Sequence, residues 1–374
     1  MQKVEKKKFS WQEFKASPQY FDKKSRTLNG TKNFFLALFR LIIIVGISYI
    51  ILAPVIEIIA RSFFSEADSV NPMVFTIPIS PTLERYEKVL QYMDYLPILG
   101  NTLLYVAGVT LAQLLICSMV GYGFARYRFP LKGVFFAFVV VMIVVPMSTI
   151  QFPLYVAFRY FNVLPYAGIA AAFGIFLLVM GIRTRNSISK WVTIAAGAAV
   201  VAAAAIFAKQ YIDGGSVPIN LHRTVWPTFI MTIFGCGLRS GLYIYIFNQF
   251  FRGLPKEIEE AALVDGAGTF YTYFRIMMPN ATPAVITVAV FSIVWQYNDS
   301  FFASNFTIPD SVLITQKLAG LVDRIANAEK IYSLREQRLY FNAGVVLVLV
   351  PIVLIYVILQ RRFIEGVERS GIVG

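Results

Sequence analysis

The residues that could act chemically on a ligand are few and scattered. His222 is the only histidine and Cys117 and Cys236 the only cysteines, so neither a metal site nor a disulfide framework is expected. No G-x4-G-K-[ST] phosphate loop is present, so the chain is not expected to hydrolyse ATP, and no cofactor is expected. Gln113 and Gln151 fall inside apolar runs, where a polar side chain either lines a pathway or bonds a neighbouring helix. Trp295, Asn298 and Asp299 place an aromatic face and two polar tips near the end of another such run, where Trp also commonly serves as an interfacial anchor. Glu57 stands four residues before Arg61, which explains it as a local ion pair. The densest pattern lies at 252–280, Arg-Gly-Leu-Pro-Lys-Glu-Ile-Glu-Glu-Ala-Ala-Leu-Val-Asp-Gly-Ala-Gly-Thr-Phe-Tyr-Thr-Tyr-Phe-Arg-Ile-Met-Met-Pro-Asn.

The elements that must carry these residues are membrane spans. Of 374 residues, 57% are hydrophobic and 15% charged, with mean hydropathy +0.64, more apolar surface than a soluble domain can hide. About 20 apolar helical residues cross a bilayer core, and nothing alternates at the strand period, so the fold expected is an all-α polytopic membrane protein. Spans are expected at 34–60, 98–124, 134–158, 168–182, 191–212, 225–251, 281–302 and 341–360, eight in all. The net charge of +13 gathers in short segments between spans, which reads as orientation and not as nucleic-acid binding.

Residues 1–33 form a basic tail, with nine Lys/Arg against three acids in residues 1–32. The tail and the apolar run after it are too long for a cleavable signal, so an uncleaved first helix is expected. Arg126, Arg128 and Lys132 crowd a short cytoplasmic loop, Arg183, Arg185 and Lys190 another, and Arg361 and Arg362 close the last span inside. Both termini are therefore expected in the cytoplasm. The polar stretch at 61–97 suits an outside loop.

The loop at 252–280 then faces the cytoplasm. Pro255 suits a first helical turn, and Glu257, Glu259 and Glu260 sit where the helix dipole favours acids. Ile258, Ala261 and Ala262 are placed on one face, Gly266 suits the left-handed residue that ends a helix, and Thr269 can cap the next. A short rigid helix, a sharp turn and a second helix shaped by Pro279 make a knob able to seat in another protein, although an interfacial amphipathic helix shows the same geometry.

The spacing within that loop is more specific. Glu260-Ala261-Ala262, three residues, Gly266, nine residues, Ile276, one residue and Met278-Pro279 resembles the EAA signature of binding-protein-dependent ABC transporter permeases, E-A-A-x3-G-x9-I-x-L-P, with Met278 replacing Leu. Other segments are similar to the carbohydrate-uptake, maltose-type branch: Asn101-Thr102-Leu103, Gly121-Tyr122-Gly123-Phe124-Ala125-Arg126, Arg252-Gly253-Leu254-Pro255, Trp295 with Asn298-Asp299, and Gln360-Arg361-Arg362-Phe363 with Gly366. The resemblance covers nearly all of 34–374 and departs from the family in the basic tail and in a hairpin at 168–212.

The resemblance implies a type I importer permease core of six helices, here with that two-helix hairpin inserted, in a bacterial cell membrane. It implies a second permease subunit, in a heterodimer, two ATP-binding subunits beneath, and an extracellular solute-binding protein. Glu260, Ala261, Ala262 and Gly266 would couple to the ATPase, with Ile276 and Pro279 shaping the second helix. Gln113, Gln151, Trp295, Asn298 and Asp299 are candidates for a pathway taking a sugar or oligosaccharide. Two rivals are an ion-coupled secondary carrier, disfavoured by the near absence of charge deep in the spans, and a membrane scaffold that moves no solute.

Overall fold

The computed structural model describes residues 18–183, 187–215 and 217–371. The basic tail at 1–17 and the three residues 184–186 of the hairpin joint lie outside them. The chain divides into two compact units, Met1–Leu83 and Glu84–Gly374. In the first, helix α1 (Pro18–Ser62) carries an apolar span, Asn33–Ser62, whose side chains from 33 to 52 are all exposed, as a lipid-facing helix requires. Arg61 and Glu57 pair at 2.8 Å, one turn apart. Ser65 then caps a short helical turn, Glu66–Val70, accepting from Asp68 N–H at 3.1 Å, while the Asp68 carboxylate accepts from Ser80 N–H at 3.0 Å.

The second unit begins with α2 (Glu84–Met93) and α3 (Tyr95–Arg126). The expected outside loop at 61–97 is thus largely helical. α3 is the axis of this unit, because Gly121 lets α9 (Ser240–Gly253) approach so closely that a Cβ there would lie 2.6 Å from that of Phe247. Cys117, Tyr243, Phe247 and Phe251 fill the seam. On its other flank α3 meets α8 (Trp226–Ile233) and α11 (Thr282–Tyr297).

Three expected spans are broken or shortened, each for a local reason. The span at 134–158 is α4 (Lys132–Val144) and α5 (Gln151–Arg159), the pair bent by 102°. Pro146 supplies no N–H and holds Val145 extended, which ends α4. The span at 225–251 is α8 and α9, separated at 234–239, where Gly235 (φ +72°) and Arg239 (φ +61°) are left-handed. α11 stops at Tyr297, short of the expected 302, and a separate turn, Phe301–Asn305, follows.

The hairpin expected at 168–212 forms as α6 (Val163–Arg183) and α7 (Ser187–Asp213). Gly174, Gly181 and Gly197 allow backbone-to-backbone contact, since a Cβ on Gly174 would meet Gly197 O at 2.9 Å and one on Gly197 would meet Gly174 O at 2.8 Å. α12 (Leu321–Glu329) and α13 (Leu334–Gly371) complete the unit. Among the described residues five helices are long and apolar enough to cross a membrane, or up to seven spans if each bent pair is one. Among the described residues there is no sheet, only one isolated bridge, Phe161 to Ile219.

Candidate functional site

The loop after α9 builds a helix, a turn and a second helix, as its residue types dictate. α10 (Glu257–Val264) starts two residues after Pro255, with Lys256 O accepting from Glu259 and Glu260 N–H at 3.0 Å each. Gly266, at φ +80°, ends it, and Ala267 N–H reaches back to Ala262 O at 3.0 Å. That is the glycine-terminated closure the sequence leads one to expect. The next helix differs from expectation. Its cap is Gly268, and Thr269 is already its first residue. From Thr272 to Met277 it takes the wider π form, which is rare and is frequently found at functional sites. The break before α11 falls at Ala281, two residues beyond Pro279, with a 78° bend.

α10 packs by Ile258, Glu259 and Ala262, while Glu260, Ala261 and Val264 point outward. Ala261 is therefore not on the packed face with Ile258 and Ala262. The acid that ties the loop to the bundle is Glu259, not Glu260. Its carboxylate accepts from the Tyr122 hydroxyl at 2.6 Å and pairs with Arg126 Nε at 3.4 Å. Arg126, whose side chain is 6% exposed, also donates to Leu254 O at 2.8 Å. Tyr122 meets Phe251 and Tyr273 edge-on or tilted, and the Tyr273 and Ser118 hydroxyls bond at 2.6 Å. The C-terminal turn of α3, the end of α9 and the loop are thus one cluster. Tyr122 and Arg126 lay in plain sight in the Gly121–Arg126 segment, but their partner among three nearby glutamates was not legible without the fold.

Ile276 is half-buried, and Pro279 and Gly266 are exposed. Beside the turn lies a cavity of about 1170 Å³, bordered by Phe176, Leu177 and Met180 of α6, Thr193 of α7, and Gly266 and Tyr271 of the loop. The hairpin therefore flanks the same loop.

The candidate pathway residues divide. Gln113 is fully buried and donates to Leu238 O at 2.7 Å, in the break between α8 and α9, while Ser292 donates to its Oε1 at 2.6 Å and Thr110 bonds Ser292 at 2.9 Å. A helix break at membrane depth leaves carbonyls needing donors, and Gln113 serves that need. Gln151 is exposed at the first residue of α5. Asn298 is exposed and donates to Val294 O at 3.0 Å, and Asp299 is buried, accepting from Phe301 and Phe302 N–H at 3.0 and 3.1 Å. Trp295 is 41% exposed and carries the Arg239 guanidinium over its ring at 4.2 Å. Arg239 went unnoticed in the sequence, although a lone arginine inside an apolar run is signal enough. His222, whose Nε2 bonds Tyr155 O at 3.0 Å, is a packed core residue, and no metal-binding cluster exists among the described residues.

Comparison with known proteins adds three findings. The family model described as "Binding-protein-dependent transport system inner membrane component" matches residues 113–369. A "Probable ABC transporter permease protein" of Pyrococcus horikoshii is 24% identical over 86% of this chain and 92% of its own, and an arabinooligosaccharides transport system permease protein of Halalkalibacterium halodurans is 24% identical over 88% and 93%. A solved bacterial ABC transporter involved in import of the acidic polysaccharide alginate superposes with TM-score 0.59 at 17% identity, covering 89% of this chain and 98% of that one; at that identity the likeness concerns fold alone.

Proposed function

The chain belongs to the inner membrane components of binding-protein-dependent transport systems and is a permease subunit of an ABC importer, from which we propose that it forms half of a solute pathway and couples it to a separate ATPase through residues 252–280. The observation that carries the coupling role is the anchored knob itself. Glu259, Tyr122 and Arg126 fasten α10 to α3, so a push on the exposed Glu260, Ala261 and Gly266 surface is passed to the axis of the bundle.

The protein is a multi-pass membrane protein working in a complex with other subunits. Its proposed partners are a second, different permease, two ATP-binding subunits and an extracellular solute-binding protein. ATP hydrolysis is assigned to the partner. ATP-driven closure of the paired ATPases would draw the knobs together and favour the outward-facing state. If the bent and broken pairs each cross once, the chain spans eight times with both ends cytoplasmic, a six-helix core plus the hairpin. The solute is proposed to be a sugar or oligosaccharide, on the strength of relatives such as the arabinooligosaccharides system permease. Gln151, Trp295 and Asn298, which are exposed, are the proposed polar lining of that pathway, and the buried Gln113 and Asp299 are proposed to support it, Gln113 by holding the α8–α9 break in place and Asp299 by accepting from Phe301 and Phe302 N–H.

Site-directed cross-linking tests the coupling surface. Ala261→Cys, on the outward face, is expected to cross-link to a cysteine in the ATPase groove and to do so in a nucleotide-dependent way, whereas cross-links found only to lipid-facing probes would remove the coupling role.

A further inference from the structure

Arg239 is an arginine without a counter-charge in a segment that otherwise avoids charge. Among the described residues no carboxylate lies within 4.0 Å of Arg239. Its guanidinium sits instead over the Trp295 ring at 4.2 Å. Both side chains are exposed on the surface of this subunit.

The depth of the pair follows from helix lengths. Arg239 immediately precedes α9, which runs 14 residues to the cytoplasmic loop, so it stands about 21 Å from that end. Trp295 is the fourteenth residue of α11, which starts from the other side of the same loop, about 20 Å along its axis. Two independent elements therefore bring a cation and an indole to one level, well inside a hydrocarbon core about 30 Å thick. A guanidinium at that depth is not tolerated against lipid and faces a water-filled passage or another protein group.

The backbone argues that the side chain is wanted there. Arg239 is left-handed at φ +61° within a break that already contains Gly235 and Gly237. Glycine would take that conformation without strain, and a side chain kept there against strain is found mostly at functional positions.

The geometry points to a binding subsite in the solute pathway, in which Arg239, steadied over the Trp295 ring, holds a carboxylate of the sugar, so that the cargo is an acidic saccharide. A guanidinium presents paired N–H donors that match a carboxylate, and with no internal acid to neutralise it the pair selects an anionic group over a hydroxyl. This inference rests on the importer reading above.

The test is uptake into proteoliposomes containing the complete importer with its binding protein, comparing digalacturonate with maltose. Wild type is expected to accumulate digalacturonate. Arg239→Gln should lower that uptake about tenfold or more, the effect of losing one charge-assisted contact, while the complex still assembles and hydrolyses ATP, and Arg239→Lys should retain an intermediate rate. Unchanged digalacturonate uptake in Arg239→Gln overturns the subsite, as does loss of assembly in that variant, which would make the arginine a subunit contact. Wild-type uptake of maltose alone, or of neither sugar, overturns the acidic cargo and leaves the importer standing; a complete complex that hydrolyses no ATP removes the importer reading itself.

Discussion

Glu259 and Glu260 are neighbours with opposite environments, and that contrast is testable. Glu259 has a tyrosine hydroxyl at 2.6 Å and a buried arginine at 3.4 Å, whereas Glu260 is exposed. Replacing Tyr122 by Phe removes a hydrogen bond to a charged group, and a cost of about 1.5–3 kcal/mol is expected. Glu259→Gln should lower the thermal stability of the purified protein and reduce solute-stimulated ATP hydrolysis in the complex, and Glu260→Gln should leave stability unchanged. Equal stability losses for the two glutamates would contradict the anchoring role. The sequence placed three acids at the start of a helix because the dipole rule is local. Which of them turns inward depends on where α3 ends, which is a tertiary fact. Arg239 teaches the converse, since its anomaly was local and visible, and only its partner Trp295 needed the fold.

At the scale of elements, the turn at Gly266 and the hairpin depend on glycine for different reasons. Gly266 has open space around its Cβ position but φ +80°, so Gly266→Ala strains only the backbone, by about 1–2 kcal/mol. Coupled ATP hydrolysis is expected to fall while the spans still fold. Gly174 is limited by space: a Cβ would stand 2.7 Å from Val201 Cγ2 and 2.9 Å from Gly197 O, and backbone cannot step aside cheaply. Gly174→Val should therefore separate α6 from α7, seen as faster hydrogen exchange confined to the hairpin. A third junction is pH-sensitive. Glu329 on α12 accepts from Tyr92 at 2.7 Å and from Lys88 at 3.2 Å on α2, and the Tyr92 hydroxyl first, then Lys88, hold its carboxyl below the usual carboxylate range. A depressed carboxyl stabilises the fold above its ordinary value and loses that contribution as pH falls through the depressed one. Exchange in α12 should rise on acidification in wild type, and in Glu329→Gln it should be raised already at neutral pH.

The elements that sequence periodicity located well were the continuous apolar helices α1, α3, α6, α7 and α13, because hydropathy reports length directly. Breaks were less legible. Pro146 ends α4, yet the span expected at 134–158 runs through it, and the α8–α9 break carries no proline, while Gly235 and Gly237 do not by themselves distinguish a break from close packing. It is Gln113, thirteen residues before the end of α3, that makes this break tolerable by donating to Leu238 O.

For the whole molecule, the α6–α7 hairpin and the loop at 252–280 border one cavity, so the segment proposed as an insertion lies beside the loop proposed to couple to the ATPase. Deleting 168–212 is expected to alter coupling more than solute affinity, measured as the ratio of ATP hydrolysed to solute moved; an unchanged ratio would leave the hairpin as lipid-facing decoration. The central claim is that a subunit without a phosphate loop moves solute through a partner's ATPase. Affinity purification of the tagged chain from native membranes, wild type against Gly266→Pro, tests it most directly, because proline cannot adopt the left-handed turn. The wild type should bring down a second permease and an ATPase, with the ATPase lost or uncoupled in the variant. A chain that purifies alone in both forms would contradict the account and favour a carrier that works by itself.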